Sequence, residues 1–151
     1  MSDEKKQLFC SIRKIWVAAT PEEYVRQGIL QHLVENLDFP GSCIAVEKEL
    51  KFMLPAHESL LPPDRRIDIM CYANDGSKGL HPLLLIECKA VNITARELRQ
   101  VIGYNHLIKA SFIALANQTE RKLGWYDTTL KNYKFVNYFP NYSELTRSIY
   151  S

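Results

Sequence analysis

The stretch from Pro82 to Ala90, PLLLIECKA, constrains this chain most. Leu83, Leu84, Leu85 and Ile86 form a short unbroken apolar run, as in a strand buried on both faces. Glu87 and Lys89 follow two positions apart, and alternate residues of a strand share a face. Charged groups at the end of such a run need a partner, because burial without one is costly. One explanation is an ion pair closing a core strand. The other is a metal-binding acid beside a cation that holds water and phosphate. The rest of the chain bears on the choice.

At 151 residues, one domain with a real core is expected. A net charge of +2 requires any nucleic-acid surface to be local. Cys10, Cys43, Cys71 and Cys88 show no zinc or haem spacing, and the last three lie in apolar stretches. They read as reduced cysteines of a cytoplasmic protein, with no signal peptide or membrane span in the sequence.

Residues 1–15 read as an N-terminal arm, loose at its start, and 16–151 as a single domain. Ile12 to Ala19 is an edge strand or packed arm. Thr20, Pro21 and Glu23 then spell a helix start of the T-x-x-E type, with Arg26, Leu30, Leu33, Val34 and Leu37 along one stripe. Strands are expected over Ile44–Leu54, Arg66–Ala73 and the PLLLIECKA stretch, with loops over Pro55–Pro63 and around Asn74–Gly79. A second T-x-x-E, Thr94 to Glu97, opens a helix to about Ile108. Short strands at Phe112–Ala116, Lys122–Tyr126 and Tyr133–Tyr138, and a closing helix from Ser143, complete the order. That order is an α/β layer: a mixed sheet of about four central strands, with a small β addition, flanked by helices.

Asp68 lies mid-strand, between Ile67 and Ile69, on the face expected for Met70 and Tyr72. A turn joins its strand to that of Glu87, so a hairpin register can set the two carboxylates side by side. Two such acids repel unless a cation neutralises them, and an oxygen-rich pair with open positions suits Mg²⁺, with Mn²⁺ as a substitute. Lys89 beside them can orient a water or stabilise charge on a phosphoryl oxygen. These parts describe metal-assisted phosphodiester hydrolysis.

Asp68 in RRIDIMCY, Glu87 and Lys89 in IECKA, and Gln100 and Tyr104 in RQVIGYN together resemble the PD-(D/E)xK nuclease superfamily. TPEEYVRQ, RRIDI, LLLIECKA and QVIGYNHLIKA more narrowly resemble the N-terminal nuclease domain of type I restriction endonuclease motor subunits. The resemblance spans roughly Trp16 to Tyr142. It implies a restriction-endonuclease-like core and a Mg²⁺-dependent endonuclease acting on DNA. Asp68, Glu87 and the Cys88 backbone carbonyl would ligate metal, Lys89 would position the water, and Gln100 and Tyr104 would support the site. Glu23 fits the glutamate that such nucleases add from the first helix. It fits a capping box equally well, and Glu22 is the alternative. The literal Pro63-Asp64 is set aside for Asp68, because Asp64 sits in the preceding loop.

Arg65, Arg66, Arg96, Arg99 and Lys109 flank the proposed site and are candidates for phosphate contact. Glu47 and Glu49 read as solvent-side residues, with Glu47 able to approach the metal. The four histidines form no pair, and Trp16, Trp125 and the tyrosines read as packing. Gly103 inside a helix implies a close approach to the lysine strand. No G-x-x-x-x-G-K-[ST] occurs, so ATP-driven restriction is not expected of this chain alone, which reads either as a stand-alone small nuclease or as a domain working with separate motor or specificity subunits. A second copy of the chain is a further partner to consider, and a membrane is not. A rival reading keeps the fold as a nucleic-acid-binding module with little or no cleavage.

Overall fold

A computed structural model describes residues 6–49, 66–74 and 79–150. The elements run β1 (Gln7–Cys10), β2 (Ile15–Ala18), α1 (Pro21–Glu35), β3 (Ile44–Glu49), β4 (Arg66–Asn74), β5 (Leu80–Cys88), α2 (Ala95–Ile108), β6 (Phe112–Ala116), β7 (Arg121–Asp127), β8 (Asn132–Val136) and α3 (Tyr142–Tyr150). Strands β3 to β8 form one six-stranded sheet in sequence order. Only β5 and β6 are parallel. A parallel pair needs a long crossover, and α2 supplies it. The expected four central strands are therefore β3 to β6, and the β addition is the β7–β8 hairpin. Asp64, Arg65, His57, the 55–63 loop and the turn residues 75–78 lie outside the described residues.

The sheet separates two apolar layers. On one face, Val25, Ile29, Leu30 and Leu33 of α1 and Leu145 of α3 pack with Ile69, Cys71, Leu84, Ile86 and Cys88. On the other, Val101 and Ile108 of α2 pack with Met70, Leu85, Ile113 and Leu115. Residues 83–88 of β5 are all buried, as its unbroken apolar run requires. Burying each such Leu or Ile contributes about 1.5–3 kcal/mol. Pro82 has no N–H to donate, and the β4–β5 register shifts beside it, between Cys71 and Tyr72. The extra residue turns both Leu83 and Leu84 to the α1 side.

Several expectations change. Gln7–Cys10, read as loose arm, pairs with Ile15–Ala18 as a separate hairpin. Helix α1 stops at Glu35, earlier than Leu37, and Val34 is exposed rather than part of the buried stripe. Gly103 is exposed, and a Cβ there would meet nothing within 4 Å, so no close approach explains it. Trp16 is 63% exposed and pairs edge-on with exposed Phe9, not with the core. Trp125 does pack, against the α1-side layer. All four cysteines are free and buried.

A lock that the sequence did not signal ends α2. Buried Asn105 accepts from the Ala110 N–H (2.8 Å) and donates to the Ala110 carbonyl (2.9 Å). It thereby satisfies backbone groups that the left-handed Lys109 leaves beyond the helix.

Candidate active site

The charged residues gather where α1 meets the ends of β3 and β4. Thr20 caps α1, accepting from the Glu23 N–H at 3.1 Å. Positions 23 and 26 of a helix share a face, and here that face turns inward. Glu23 and Arg26 are 6% and 5% exposed. Arg26 Nη1 meets Glu23 Oε1 at 2.7 Å and Glu47 Oε1 at 3.1 Å. Its Nη2 donates to Asp68 Oδ1 at 2.7 Å. Arg13, between β1 and β2, donates to Glu47 Oε2 at 3.0 Å and to Glu23 Oε2 at 3.1 Å. Three carboxylates thus surround two guanidiniums, leaving one negative charge in excess within the cluster.

Two backbone irregularities make this possible. Glu47 has φ of 55°, a left-handed conformation costing a non-glycine residue on the order of 1 kcal/mol. Paired positions of β3 and β4 run Val46↔Ile69 and then Lys48↔Ile67, passing over Glu47 and Asp68. Opposite Glu47, the alternation of β4 breaks. Ile67 packs in the α2-side layer, while Ile69, Cys71 and Ala73 pack on the α1 side. Asp68 therefore turns toward α1 and does not share the face of Met70 and Tyr72, as an even alternation required. Such local strain is characteristic of functional sites.

Asp68 also reaches the PLLLIECKA strand, because its Oδ2 accepts the Cys88 N–H at 2.8 Å. Continuing the Ile69↔Ile86 register by one step sets Asp68 opposite Glu87. The side chains diverge, however. Ile86 and Cys88 lie in the α1-side layer, and Glu87 aligns with Leu115, which belongs to the α2 side. Lys89 follows β5, half-buried, its N–H donated to Ala116 O at 2.8 Å. The Thr94 side-chain hydrogen bond first, then backbone N–H groups and last the Lys89 charge lower the pKa of Glu97, in the first turn of α2. The proposed constellation is thus divided between the faces: Glu23, Glu47 and Asp68 with α1, and Glu87 and Lys89 with α2. The Cys88 N–H joins the two groups.

Gln100 and Tyr104 lie one helical turn apart on α2, both partly buried, with Tyr104 packed against the α2-side layer. Arg66, Arg96, Arg99 and Lys109 are exposed. Glu22 is exposed at the mouth of a cleft of about 320 Å³ that Arg13, Glu23, Arg26 and Glu47 also line.

Electrostatics follow the geometry. Burial alone would lower the Arg26 pKa. The Asp68 hydrogen bond and the charges of Asp68, Glu23 and Glu47 outweigh it and raise that pKa, so Arg26 is a permanent cation. Burial, then the Asp68 charge, pushes the Cys88 thiol well up. The oxygen donors have the right chemistry for a hard divalent cation, but their arrangement does not fit one. Both Asp68 oxygens are already engaged, and Arg26 fills the centre. Among the described residues, no three His, Cys, Asp or Glu side chains converge as a metal site.

Residues 21–140 match the family described as the type I restriction enzyme R protein N terminus. The chain belongs to this family. The match runs from the first residue of α1 to just before α3, so it includes Glu23, Asp68, Glu87, Lys89, Gln100 and Tyr104. No curated protein and no solved structure matches the chain. The residues that sequence reasoning missed are Arg13 and Arg26 as the cluster's cations. Arg26 did carry a signal, because a charge amid Val25, Ile29, Leu30 and Leu33 must be paired when buried. Arg13 carried none.

Proposed function

We propose that this chain is a nuclease domain that hydrolyses phosphodiester bonds of DNA. The observation carrying this reading is the match of residues 21–140 to the R protein N-terminal family, a span that includes Glu23, Asp68, Glu87 and Lys89. In the proposal, Lys89 orients the attacking water, and Gln100 and Tyr104 support the site from α2. The exposed Arg66, Arg96 and Arg99 contact phosphates, giving salt-dependent affinity. Mg²⁺, with Mn²⁺ as a substitute, is the proposed cation, with Asp68, Glu87 and the Cys88 carbonyl its proposed donors; in the arrangement described, Arg26 holds Asp68 and Glu87 lies toward the other face of the sheet. Motor or specificity subunits, and a second copy of the chain, are the proposed partners, and the cytoplasm the proposed location. Among the described residues, no helix is long and apolar enough to cross a membrane.

Cleavage of labelled single-stranded, duplex and branched DNA with Mg²⁺ or Mn²⁺ tests the reading. Cation-dependent cutting, abolished by Lys89→Ala and by Asp68→Asn in folded protein, is the expected result. A second reading, a DNA-binding module without cleavage, has one observation in its favour: Arg26 already saturates the acids. Salt-sensitive binding without cutting under all conditions would establish it instead.

A further inference from the structure

Alternate residues of a strand share a face. On the α2 side of the β7–β8 hairpin these are Lys122, Gly124 and Tyr126 of β7, with Tyr133 and Phe135 of β8. Gly124 pairs with Phe135, and a Cβ at 124 would come within 2.5 Å of the Phe135 ring. The glycine therefore lets that ring lie across the strand. Tyr133 stacks beside Phe135 with 6.3 Å between centroids, and Tyr126 meets Tyr133 edge-on at 5.7 Å. Asn105, near the end of α2, pins Tyr133 by donating to its hydroxyl at 3.2 Å. The three rings form one row. Helix α2 packs mainly over β5 and β6, which leaves the row at the edge of its cover, with Tyr126 52% exposed. A cleft of about 440 Å³ opens where Lys122 and Phe135 meet Asn137 and Tyr138.

Resting on the proposed DNA reading, we propose that this row is a stacking platform for unpaired nucleotides of a DNA single strand. Three features point to that occupant. First, every base has a π-face, so rings held in a row beside a cation offer stacking without sequence preference. Secondly, the charge is complementary to phosphate. Residues 121–136 hold four cations and one acid, Asp127. That acid is turned to its own loop, accepting the Thr129 and Leu130 N–H groups. Lys122 lines the same cleft as the Phe135 ring, and among the described residues no ion pair engages it. Thirdly, the row shares its face with Glu87. Glu87 aligns with Leu115 and Leu115 with Lys122, so Lys122 lies two strand spacings, roughly 10 Å, from Glu87. A strand stacked on the row thus leads toward Glu87 and Lys89. An intact duplex cannot use the platform, because its bases already stack on one another.

Fluorescence anisotropy of labelled oligothymidine and of a duplex of equal length, in chelator so that nothing is cut, tests this on the full chain. Phe135→Leu, which keeps an apolar side chain, is expected to weaken oligothymidine binding about tenfold and to leave duplex binding within twofold. Phe135→Trp is expected to restore it, and Lys122→Gln to lower the salt slope by about 0.7. Because Phe135→Leu can fail to fold, a second measurement uses the wild type. Photo-crosslinking to an oligonucleotide carrying 5-iodouracil is expected to give adducts at Phe135 or Tyr126. Oligothymidine binding unchanged in folded Phe135→Leu, a loss shared equally by the duplex, or adducts only elsewhere overturns the platform and leaves the nuclease reading to its cleavage test. Self-association of the wild type that Phe135→Leu abolishes, with DNA binding unchanged, makes the row a contact between copies of the chain instead. Failure of the wild type to bind either DNA overturns both readings.

Discussion

Helices α1 and α2 begin with the same sequence pattern, a threonine followed three residues later by a glutamate, and the two patterns end differently. At α2, Glu97 turns back and accepts the Thr94 N–H at 2.9 Å, closing the capping box. At α1, Thr20 does its half, accepting from the Glu23 N–H. Glu23 does not return. Its carboxylate goes to Arg26, Arg13 and Gln27. The difference lies in the surroundings. Glu97 begins a helix at the surface, where the backbone N–H is its best donor. Glu23 is buried beside two guanidiniums, and charge-assisted bonds are about twice as strong as neutral ones. Local pattern wins where water is the competitor, and tertiary charge wins where it is not.

Removing the cation at α1 should have the largest effect. Arg26→Met leaves Glu23, Glu47 and Asp68 facing one another, with Arg13 touching only two of them. A loss of about 3–5 kcal/mol is expected, read from the urea midpoint at unchanged m-value. Glu23→Gln keeps Arg26 paired with Glu47 and Asp68, so it should cost less, about 1–3 kcal/mol. If the two losses were equal, the idea that Arg26 is the hub would fail.

The threonines sharpen the comparison from the other side. Thr20→Ala and Thr94→Ala should each cost about 1 kcal/mol, since each removes one cap whatever its glutamate does. A far larger loss at Thr20 would mean that the cap also positions the charged cluster. Glu97→Gln should have the smallest effect and be visible mainly through pH. The folded-state pKa of Glu97 lies below its ordinary 4.5, first through the Thr94 side-chain bond. Its stabilising effect is therefore present above 4.5 and lost as pH falls through the lowered value. Glu97→Gln should flatten that segment of an acid titration of stability, and an unchanged slope would show that the box contributes nothing.

The strands and helices were legible because their signals are local. The unbroken LLLI run, the alternation around Ile69 and the capping residues of both helices placed the four central strands and the two long helices correctly. Boundaries failed where the strong breaker stands several residues past the end, as at α1, which stops at Glu35 with Asn36 as its C-cap while Pro40-Gly41 lies further on. The β1–β2 hairpin was missed because the polar SDEKKQ stretch masks the short apolar Leu8–Cys10, whose pairing partner lies beyond a four-residue turn. In the candidate site, the carboxylates and Lys89 could be named as acids and a cation at strand ends. Their partners could not, since Arg13 and Glu47 are 34 residues apart and Arg26 and Asp68 are 42 apart.

What the sequence determined by itself was the order of elements, the burial of β5 and the residue types brought to its end. Those depend on hydrophobic period and cap chemistry, which act within a few residues. The tertiary structure alone decided where each charge points. The left-handed Glu47 and the break at Asp68 turn two carboxylates toward α1, and Glu87 stays on the other side. Side-chain direction at a strand irregularity is set by the fold around it, and ion pairing by which distant groups are left without water. Neither is written in any single stretch of the chain.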